Sequence, residues 1–363
     1  MAPGGCFQER FHTSVLRISP QVREIYLAPG TKKITFVEKN PLVFPIIKFA
    51  HPMSHSRRSF LKNSAMAVAA AGILPAESLA FFKKKAVVGL QLYTVRDAMK
   101  SDPSGTLKKV AEMGYRYVEH ANYVDHKFYG YTAKDFKSLL DGLQLKMLSG
   151  HTKFGPGDWD EGKKDFSDSW KQTVEDAAIV GQKYVISPWL DQTWRQNYDQ
   201  VLGYMDVFNK NGQLCQQHGM KFGYHNHDFE FSTVLNDHKL YDIILQHTDP
   251  ALVMQQLDMG NLYNGGAVAA GIVLQYPGRF ESMHVKDEIV ASQTSKATTQ
   301  AGQEKYESTI LGEGIVNTRQ VCDLGKKSGG THYYIIEQEA YQGKDPLDCS
   351  KADLDIMKKW GYR

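Results

Sequence analysis

The sequence predicts an α/β fold, a single-domain (β/α)8 TIM barrel in which eight parallel strands alternate with eight helices. Short apolar runs and segments of helical periodicity alternate eight times between residues 87 and 360, whereas open doubly wound sheets usually have about five or six strands. Several of these runs end in histidine or acidic residues. The spacing is 31 residues from His227 to Asp258 and 26 from Asp258 to His284, close to the roughly 30 residues of one strand-helix-strand step.

The eight units follow one another along the chain, each with a predicted strand and then a predicted helix. The first four pair 87–92 with 103–113, 115–119 with 133–143, 145–149 with 168–180, and 184–187 with 198–218. The last four pair 221–225 with 239–246, 252–257 with 268–276, 280–285 with 318–327, and 333–336 with 351–360.

Two long polar segments, 152–167 and 288–314, follow the third and seventh predicted strands. Loops on that side of a barrel build its active face, so we expect these two to cover the substrate. The alternative is that they are solvated insertions. No glycine fingerprint of a dinucleotide site follows any strand.

Residues 53–80 have the character of a twin-arginine export signal. Arg57-Arg58-Ser-Phe-Leu-Lys62 precedes a small, apolar stretch from Ala65 to Leu74, which is shorter than the roughly 20 residues of a spanning helix. A basic surface helix is the alternative. Because 52 residues precede Met53, we expect translation to start there and residues 1–52 to be upstream sequence. The predicted domain organisation is therefore a barrel at 81–363, exported to the periplasm or cell envelope, with no stable membrane span after signal removal.

Charge and cysteine content argue against two other classes of protein. The chain has 43 basic and 40 acidic residues, a net charge of +3, so no nucleic-acid surface is predicted. Cys215, Cys322 and Cys349 follow the signal, an odd number without a close pair, which implies no disulfide framework. Association of identical copies into a homo-oligomer is compatible with the sequence.

Ionisable side chains end six of the predicted strands. These strand-end residues are Glu119, His151, His225 with His227, Asp258, His284 and Glu337. Each alone has a simpler explanation as a helix cap or a hydrogen-bonded loop residue. Together they would face one mouth, and mixed imidazole and carboxylate ligands suit Mn, Zn, Co or Fe better than Ca. The sequence therefore predicts one divalent metal ion.

A metal in this mouth would polarise a carbonyl or hydroxyl of a bound polyol. Proton transfer then needs a base and an acid, for which Glu119, His227 and Glu230 are the candidates. Lys286 could neutralise an oxyanion, or else simply pair with Asp287 or Glu313. The candidate substrate-binding residues are His151, Trp189 and Asn226, and the predicted partner is a small carbohydrate.

Short motifs on at least six strands resemble the xylose-isomerase-like barrel family, which includes sugar phosphate isomerases, epimerases, inosose dehydratases and the endonuclease of abasic DNA. The motifs are Gly89-Leu-Gln-Leu-Tyr-Thr-Val-Arg-Asp97, Gly114-Tyr-Arg-Tyr-Val-Glu119, Tyr224-His-Asn-His227, Leu257-Asp258, His284-Val-Lys-Asp287, Leu311-Gly-Glu-Gly314 and Ile336-Glu337. The resemblance spans nearly all of residues 86–363.

The resemblance implies a divalent metal held by Asp258, His284 and Glu337. The family's first ligand, a Glu on strand five, corresponds to His225. That departure leaves three readings open: His225 binds the metal, His227 does so, or three protein ligands and water suffice. The endonuclease branch is disfavoured, because Asp258 is followed by Met-Gly-Asn261-Leu and its extra histidines are missing.

The leading hypothesis is a metal-dependent isomerase or epimerase that abstracts a proton next to a carbonyl of a sugar or keto-sugar. An elimination enzyme, similar to keto-glycoside lyases or inosose dehydratases, is the first alternative. A barrel that binds carbohydrate without catalysis is the second, and the departure at His225 is its main support.

Overall fold

The computed structural model describes residues 86–291 and 305–363, together with the backbone of four short strands. Two of these, Arg23–Ile25 and Ile34–Phe36, pair antiparallel within a first unit, Met1–Ile73, and the barrel belongs to a second unit, Leu74–Arg363. The other two are Thr298–Thr299 and Gly302–Gln303, which also pair antiparallel. The export signal predicted at 53–80 and nearly all of the segment predicted at 1–52 lie outside the described residues.

Eight parallel strands form a closed barrel in sequence order, which confirms the predicted fold class. They are β1 Val87–Gln91, β2 Tyr117–His120, β3 Lys146–His151, β4 Tyr184–Ser187, β5 Lys221–His225, β6 Val253–Asp258, β7 Ser282–Val285 and β8 Tyr333–Ile336. The barrel closes where β8 pairs with β1, with Tyr333 opposite Val87. Strands β4, β5 and β8 have the predicted bounds, and the ends of the others differ by one or two residues.

One helix of the outer layer follows each strand. These helices are α1 Pro103–Glu112, α2 Ala133–Gly142, α3 Asp168–Val180, α4 Tyr198–Gln217, α5 Leu240–His247, α6 Ala269–Gln275, α7 Thr318–Leu324 and α8 Pro346–Lys359. The prediction started α8 at 351, five residues late. Asp345 explains the earlier start, because its carboxylate accepts the Leu347 N–H at 2.7 Å and Pro346 takes the first helical position, which suits proline.

Several shorter elements lie in the segments that connect the barrel strands and the outer helices. Helices of one or two turns occupy Arg96–Ser101, Phe229–Ser232 and Met259–Asn264, and 3-10 turns occupy Leu92–Val95, Pro156–Asp158 and Gln192–Trp194. The helix predicted at 318–327 is α-helical only over α7, and a π-helical turn at Gly325–Gly329 follows it. Of the two predicted long loops, the first carries a hairpin of Trp159–Asp160 with Asp165–Phe166, and the second a hairpin of Asp287–Val290 with Tyr306–Thr309.

The inside of the barrel changes from apolar to charged along the strands. Successive residues of a strand point to opposite faces, so β6 directs Met254, Gln256 and Asp258 inward in that order. Met254 packs with Tyr184 and Ile186 in an apolar plug at the amino ends of the strands. Polar residues stand above this plug, which places the ionisable side chains of the strand ends at the mouth.

Tight packing around the plug requires glycine at two inward-facing positions. A Cβ on Gly89 would lie 2.9 Å from Ile335 Cδ1, and a Cβ on Gly223 would lie 2.9 Å from both Ile186 and Met254. Outside the barrel the apolar residues of strands and helices form one continuous core. Among the described residues, none of the helices combines the length and apolar character needed to cross a membrane.

Candidate active site

The mouth of the barrel brings together most of the strand-end residues predicted from the sequence. Asp258, His284 and Glu337 end or follow β6, β7 and β8, and all three are buried. His284 Nδ1 lies 3.1 Å from Glu337 Oε2 and 3.6 Å from Asp258 Oδ2. His225, at the end of β5, places its Nε2 atom 3.9 Å from the same Asp258 oxygen.

One carboxylate oxygen in this group has no hydrogen-bond partner. Asp258 Oδ1 accepts the Asn261 N–H at 2.7 Å and so caps the helix Met259–Asn264, but the buried Oδ2 accepts no hydrogen bond. The nearest cationic groups, Lys286 Nζ and His284 Nδ1, each lie 3.6 Å away, beyond hydrogen-bond distance, so this oxygen keeps a lone pair available for a cation. The donor set and this orphaned oxygen together fit a divalent metal ion.

Gln256 orients the imidazoles of His225 and His151. Its Oε1 atom lies 3.0 Å from His225 Nδ1 and 2.8 Å from His151 Nε2. An amide oxygen only accepts, so His225 carries its proton on Nδ1 and its Nε2 lone pair is directed toward Asp258. Burial, and then the neighbouring charges of His151 and His284, holds the pKa of His225 well below its usual value, which leaves the ring neutral.

Glu119, on β2, lies beneath these ligands and has no exposed surface. Its Oε1 atom accepts from Gln91 Nε2 at 2.8 Å and lies 2.6 Å from His284 Nε2. Its Oε2 atom accepts from Ser149 and from Gln256 Nε2. Burial raises the pKa of Glu119, but the charges of His151 and His284 outweigh it and lower the pKa to about 2, so the carboxylate is ionised.

His284 therefore stands between carboxylates. Burial disfavours its protonated form, yet the charges of Glu337 and Glu119 raise the pKa of His284 well above its usual value. Burial alone would raise the pKa of Glu337, but the positive charges of Lys286 and His284 lower it. The carboxylates thus favour positive charge at this point of the barrel, which Lys286 and a protonated His284 supply here, and a divalent cation would take the place of the proton on His284 Nδ1.

Lys286 reaches the same carboxylates from the segment after β7. Its ammonium lies 2.5 Å from Glu339 Oε1, 3.4 Å from Glu337 Oε2 and 3.6 Å from Asp258 Oδ2. Burial acts against the charge, but these acidic neighbours raise the pKa of Lys286 well above its usual value, so it remains an ammonium. The predicted alternative of pairing with Asp287 or Glu313 is not what the structure shows.

A cavity of about 390 Å³ opens above this cluster, within the range of small-molecule sites. Its lining includes His151, His225, His227, Asn261, Glu337 and Glu339. His227 is half-buried, and its Nδ1 atom has no hydrogen-bond partner. Burial lowers the pKa of His227 to about 4, so the ring is neutral at neutral pH and able to accept a proton.

Of the predicted site residues, His151, His225, His227 and Glu337 line this cavity. Glu119, Asp258, His284 and Lys286 belong to the buried cluster described above and are not among the lining residues, and three further residues lie apart from both the lining and that cluster. Glu230 lies behind β5, where its carboxylate accepts from Tyr224 Oη and, at 2.9 Å, from the His227 N–H. The Asn226 side chain hydrogen-bonds to the backbone of Asp258. Its Oδ1 atom accepts the Asp258 N–H at 2.9 Å, and its Nδ2 atom donates to the Asp258 C=O at 3.2 Å. Trp189 packs edge-on against His227, with ring centres 5.6 Å apart.

Sequence reasoning missed the residues that support the ligands. Glu119 accepts hydrogen bonds from Gln91, Ser149 and Gln256. Glu339 accepts a hydrogen bond from Lys286. The signal that could have found Gln256 and Glu339 is strand periodicity. Each stands two residues from a predicted ligand, Asp258 or Glu337, and so points to the same face.

Comparison with known proteins is consistent with this architecture. A family profile for the xylose isomerase-like TIM barrel matches residues 107–360, well over half of the chain. The chain belongs to the xylose isomerase-like TIM barrel family. The resemblance predicted from the strand-end motifs is thereby confirmed, and the family is one of sugar-modifying enzymes.

Curated relatives of this xylose isomerase-like barrel include inosose dehydratases. One from Clostridium perfringens is 25% identical over 186 residues, which are 50% of this chain and 60% of the relative. One from Clostridium botulinum is 26% identical over 183 residues, 49% of this chain and 58% of the relative. The chain thus matches about 60% of the length of these relatives.

Solved structures with the same fold include two proteins of Parabacteroides distasonis described as sugar phosphate isomerase/epimerase. One superposes with a TM-score of 0.63 at 22% identity, covering 75% of this chain and 93% of the other. The second has a TM-score of 0.60 at 26% identity, covering 76% and 98%.

Proposed function

We propose that this xylose isomerase-like barrel is a metal-dependent elimination enzyme that acts on a keto-sugar or keto-glycoside. The observation that carries the proposal is Asp258 Oδ2, which has no hydrogen-bond partner and is buried beside His225, His284 and Glu337, two of which, His225 and Glu337, line the cavity. The inosose dehydratases among the curated relatives support elimination.

The ligands of the metal would be His225 Nε2, Asp258 Oδ2, His284 Nδ1 and Glu337 Oε2. When bound, a divalent ion supplies Lewis acidity, which polarises a carbonyl and makes the neighbouring C–H more acidic. Glu119 would then orient His284 by accepting its Nε2 proton, as carboxylates beside ligating histidines commonly do. In this assignment Glu119 is a positioning residue and does not transfer a substrate proton.

The cavity offers different acid and base groups on its two sides. Imidazoles of His151, His225 and His227 come from β3 and the end of β5, and carboxylates of Glu337 and Glu339 follow β8. The neutral His227 would take the proton from the carbon next to the carbonyl. The C–H electron pair becomes a C=C bond, the C–O bond at the next carbon breaks, and the departing oxygen leaves with its electron pair and takes up the proton that His227 has removed from carbon. Lys286 would hold negative charge on the substrate oxygen.

Isomerisation or epimerisation is the second candidate, because it begins with the same proton abstraction. The observation in its favour is the similarity to the Parabacteroides distasonis isomerase/epimerase at 26% identity. Epimerisation requires a second group that returns a proton to the opposite face of the same carbon.

A product assay distinguishes these reactions. The protein is loaded with Mn, Co or Zn and incubated with 3-keto-glycosides or with free ketoses, and products are followed by NMR. We expect release of the aglycone from 3-keto-glycosides and an unsaturated keto-sugar. Intact glycoside with inverted configuration would instead favour epimerisation, and binding without turnover would favour the non-catalytic barrel.

His284→Ala links the assay to the proposed site. We expect loss of bound metal and at least a 100-fold loss of turnover, since a ligand and its charge are both removed. His218→Ala is the matched control, because His218 is exposed at the end of α4. Unchanged metal content in His284→Ala would contradict the proposed ligand set.

A further inference from the structure

A second cavity of about 420 Å³ adjoins the active-site cavity. Leu92, Tyr93, Arg96, Met99, Lys100 and Tyr129 are among its lining residues. Tyr93, Ala121 and Asn122 line both cavities. Each cavity alone has the volume of a small-molecule site, roughly 300–1,000 Å³. A substrate ring bound in the active-site cavity therefore leaves the second cavity free for a further group.

Tyr93 stands at the boundary between the two cavities and is held in place. It is 41% exposed, which is high for a large aromatic side chain. The Arg96 guanidinium lies 4.7 Å from the centre of its ring. Arg96 is itself fixed by hydrogen bonds to the Tyr341 hydroxyl at 2.8 Å and to the Glu339 carbonyl at 3.1 Å. An exposed aromatic ring held this way costs little conformational entropy when a ligand packs on it.

The second cavity has mixed chemistry. Leu92 and Met99 provide an apolar floor, Tyr93 and Tyr129 provide aromatic surface, and Lys100 and Asp97 provide charged groups at the rim. Apolar and aromatic walls with a few polar groups suit a ring that carries hydroxyls, since its C–H faces pack on the aromatic surface and its hydroxyls bond to the rim.

The two cavities are also connected through Glu339. Its carboxylate accepts a hydrogen bond from Lys286, which lies beside the candidate metal ligands, and its backbone carbonyl accepts one from Arg96, which lies beside Tyr93. A ligand that spans both cavities would therefore lie over one continuous set of fixed groups, with the bond between its two parts near Tyr93, Ala121 and Asn122.

We propose that the second cavity binds the second ring of a two-ring glycoside, whose first ring occupies the active-site cavity. This inference rests on the proposed function, for which it names the substrate class: glycosides with a hydroxylated ring, sugar or phenol, as the departing group. A free monosaccharide would fill only the first cavity.

Binding without turnover tests the inference separately from the proposed reaction. Calorimetric titration of the full chain uses unoxidised glucosides, galactosides and mannosides, each as the methyl glycoside, the 4-hydroxyphenyl glycoside and the disaccharide. We expect two-ring ligands of at least one sugar to bind about 10-fold more tightly than the methyl glycoside. The 4-hydroxyphenyl and disaccharide arms distinguish a phenolic from a sugar second ring.

Three variants locate the effect. Tyr93→Ala should weaken two-ring binding by about 5-fold, and Lys100→Ala, which touches only the second cavity, should weaken it without changing methyl-glycoside binding. Val124→Ala is the control, because Val124 lines only the active-site cavity and should affect both ligand classes equally. Thermal unfolding checks that Tyr93→Ala is folded.

Two outcomes would overturn the inference: no preference for two-ring ligands across the panel, or a preference that both Tyr93→Ala and Lys100→Ala retain. Absence of any binding also counts against it. If two-ring ligands bind preferentially but none of the keto-glycosides is turned over, the second-ring site stands and the proposed elimination fails.

Discussion

Glu119 and Asp258 are both fully buried carboxylates on inward-facing positions of the barrel, but their surroundings differ. Both oxygens of Glu119 accept hydrogen bonds from side chains, whereas one oxygen of Asp258 has no donor. A carboxylate whose lone pairs are occupied holds its neighbours in place, while one with a free lone pair can bind a cation. The difference therefore assigns metal binding to Asp258 and positioning to Glu119.

Glu119→Gln tests this assignment. The amide cannot accept from every donor that now surrounds the carboxylate, and it removes the charge beside His284. We expect metal affinity to fall by about 10–100-fold, measured by titration of the metal-free protein, with turnover largely restored at saturating metal. Turnover that stays abolished while metal affinity is unchanged would show that Glu119 is the catalytic base that the sequence alone suggested.

Glu230 provides a prediction about pH. Burial raises the pKa of Glu230 to about 8, although hydrogen bonds from Tyr224 and His227 act in the opposite direction. The folded protein therefore keeps this proton between pH 4.5 and 8, whereas the unfolded chain loses it near the ordinary value of 4.5. Raising the pH through this window favours the unfolded state, so the contribution of Glu230 to stability falls, by up to about 1.4 kcal/mol per pH unit.

Glu230→Gln should remove that dependence, because the amide resembles the protonated acid and does not ionise. Urea unfolding of both proteins at pH 5 and pH 8 measures the effect. We expect the wild type to lose stability relative to the variant as the pH rises, while metal content and turnover of the variant remain near wild type. A large loss of turnover would instead support the catalytic role first predicted for Glu230.

At the scale of elements, the segment after β7 is organised by one side chain. The Asp287 carboxylate accepts the N–H groups of Glu288, Gly312, Gly314 and Val316 at 2.8–3.3 Å. Glu288 belongs to the hairpin of Asp287–Val290 with Tyr306–Thr309 and the other three residues follow it, so Asp287 closes the base of the long insertion. The Leu-Gly-Glu-Gly motif at 311–314 thus has a structural reason, since a Cβ on Gly314 would lie 2.3 Å from Asp287 Oδ1.

Asp287→Ala should loosen this insertion. Four backbone donors lose their acceptor. Two of them, in Glu288 and Val316, belong to buried residues, and a buried unsatisfied group costs about 1–3 kcal/mol unless water replaces the carboxylate. We expect a lower unfolding midpoint and faster proteolytic cleavage within 288–316. Glu313→Ala is the control in the same segment, because the Glu313 side chain is 57% exposed and only approaches Lys344 at 3.8 Å. Equal cleavage of the two variants would argue against Asp287 as the anchor.

At the scale of the whole molecule, the candidate metal site connects β5, β6, β7 and β8 at one end of the barrel. An ion that binds only the folded chain stabilises all of these strands together. We therefore expect a chelator to lower the melting temperature by several degrees, and metal at 100 times its dissociation constant to restore about 2.7 kcal/mol. His284→Ala should show neither shift. A chelator-insensitive wild type would contradict the site.

Export also concerns the whole chain and stays a prediction from the sequence. Replacing Arg57 and Arg58 by lysine should retain the protein in the cytoplasm, because the twin-arginine route reads the arginine pair. Cell fractionation and immunoblotting measure the distribution. Unaltered export of the double variant would mean that this segment is not a twin-arginine signal, and native peptides from residues 1–50 would contradict the expected start at Met53.

Strand and helix periodicity in the sequence was enough to predict the barrel, because eight such repeats depend on local patterns of burial. It also placed Asp258, His284 and Glu337 at one mouth, since parallel strands in a barrel bring their carboxyl ends to the same side. The contacts between individual side chains could not be predicted in this way. Glu119 and His284 are 165 residues apart in the chain yet in contact, and Glu230, five residues after His225, lies on the other side of β5. Such contacts depend on inter-strand register and on side-chain direction, which local periodicity does not specify.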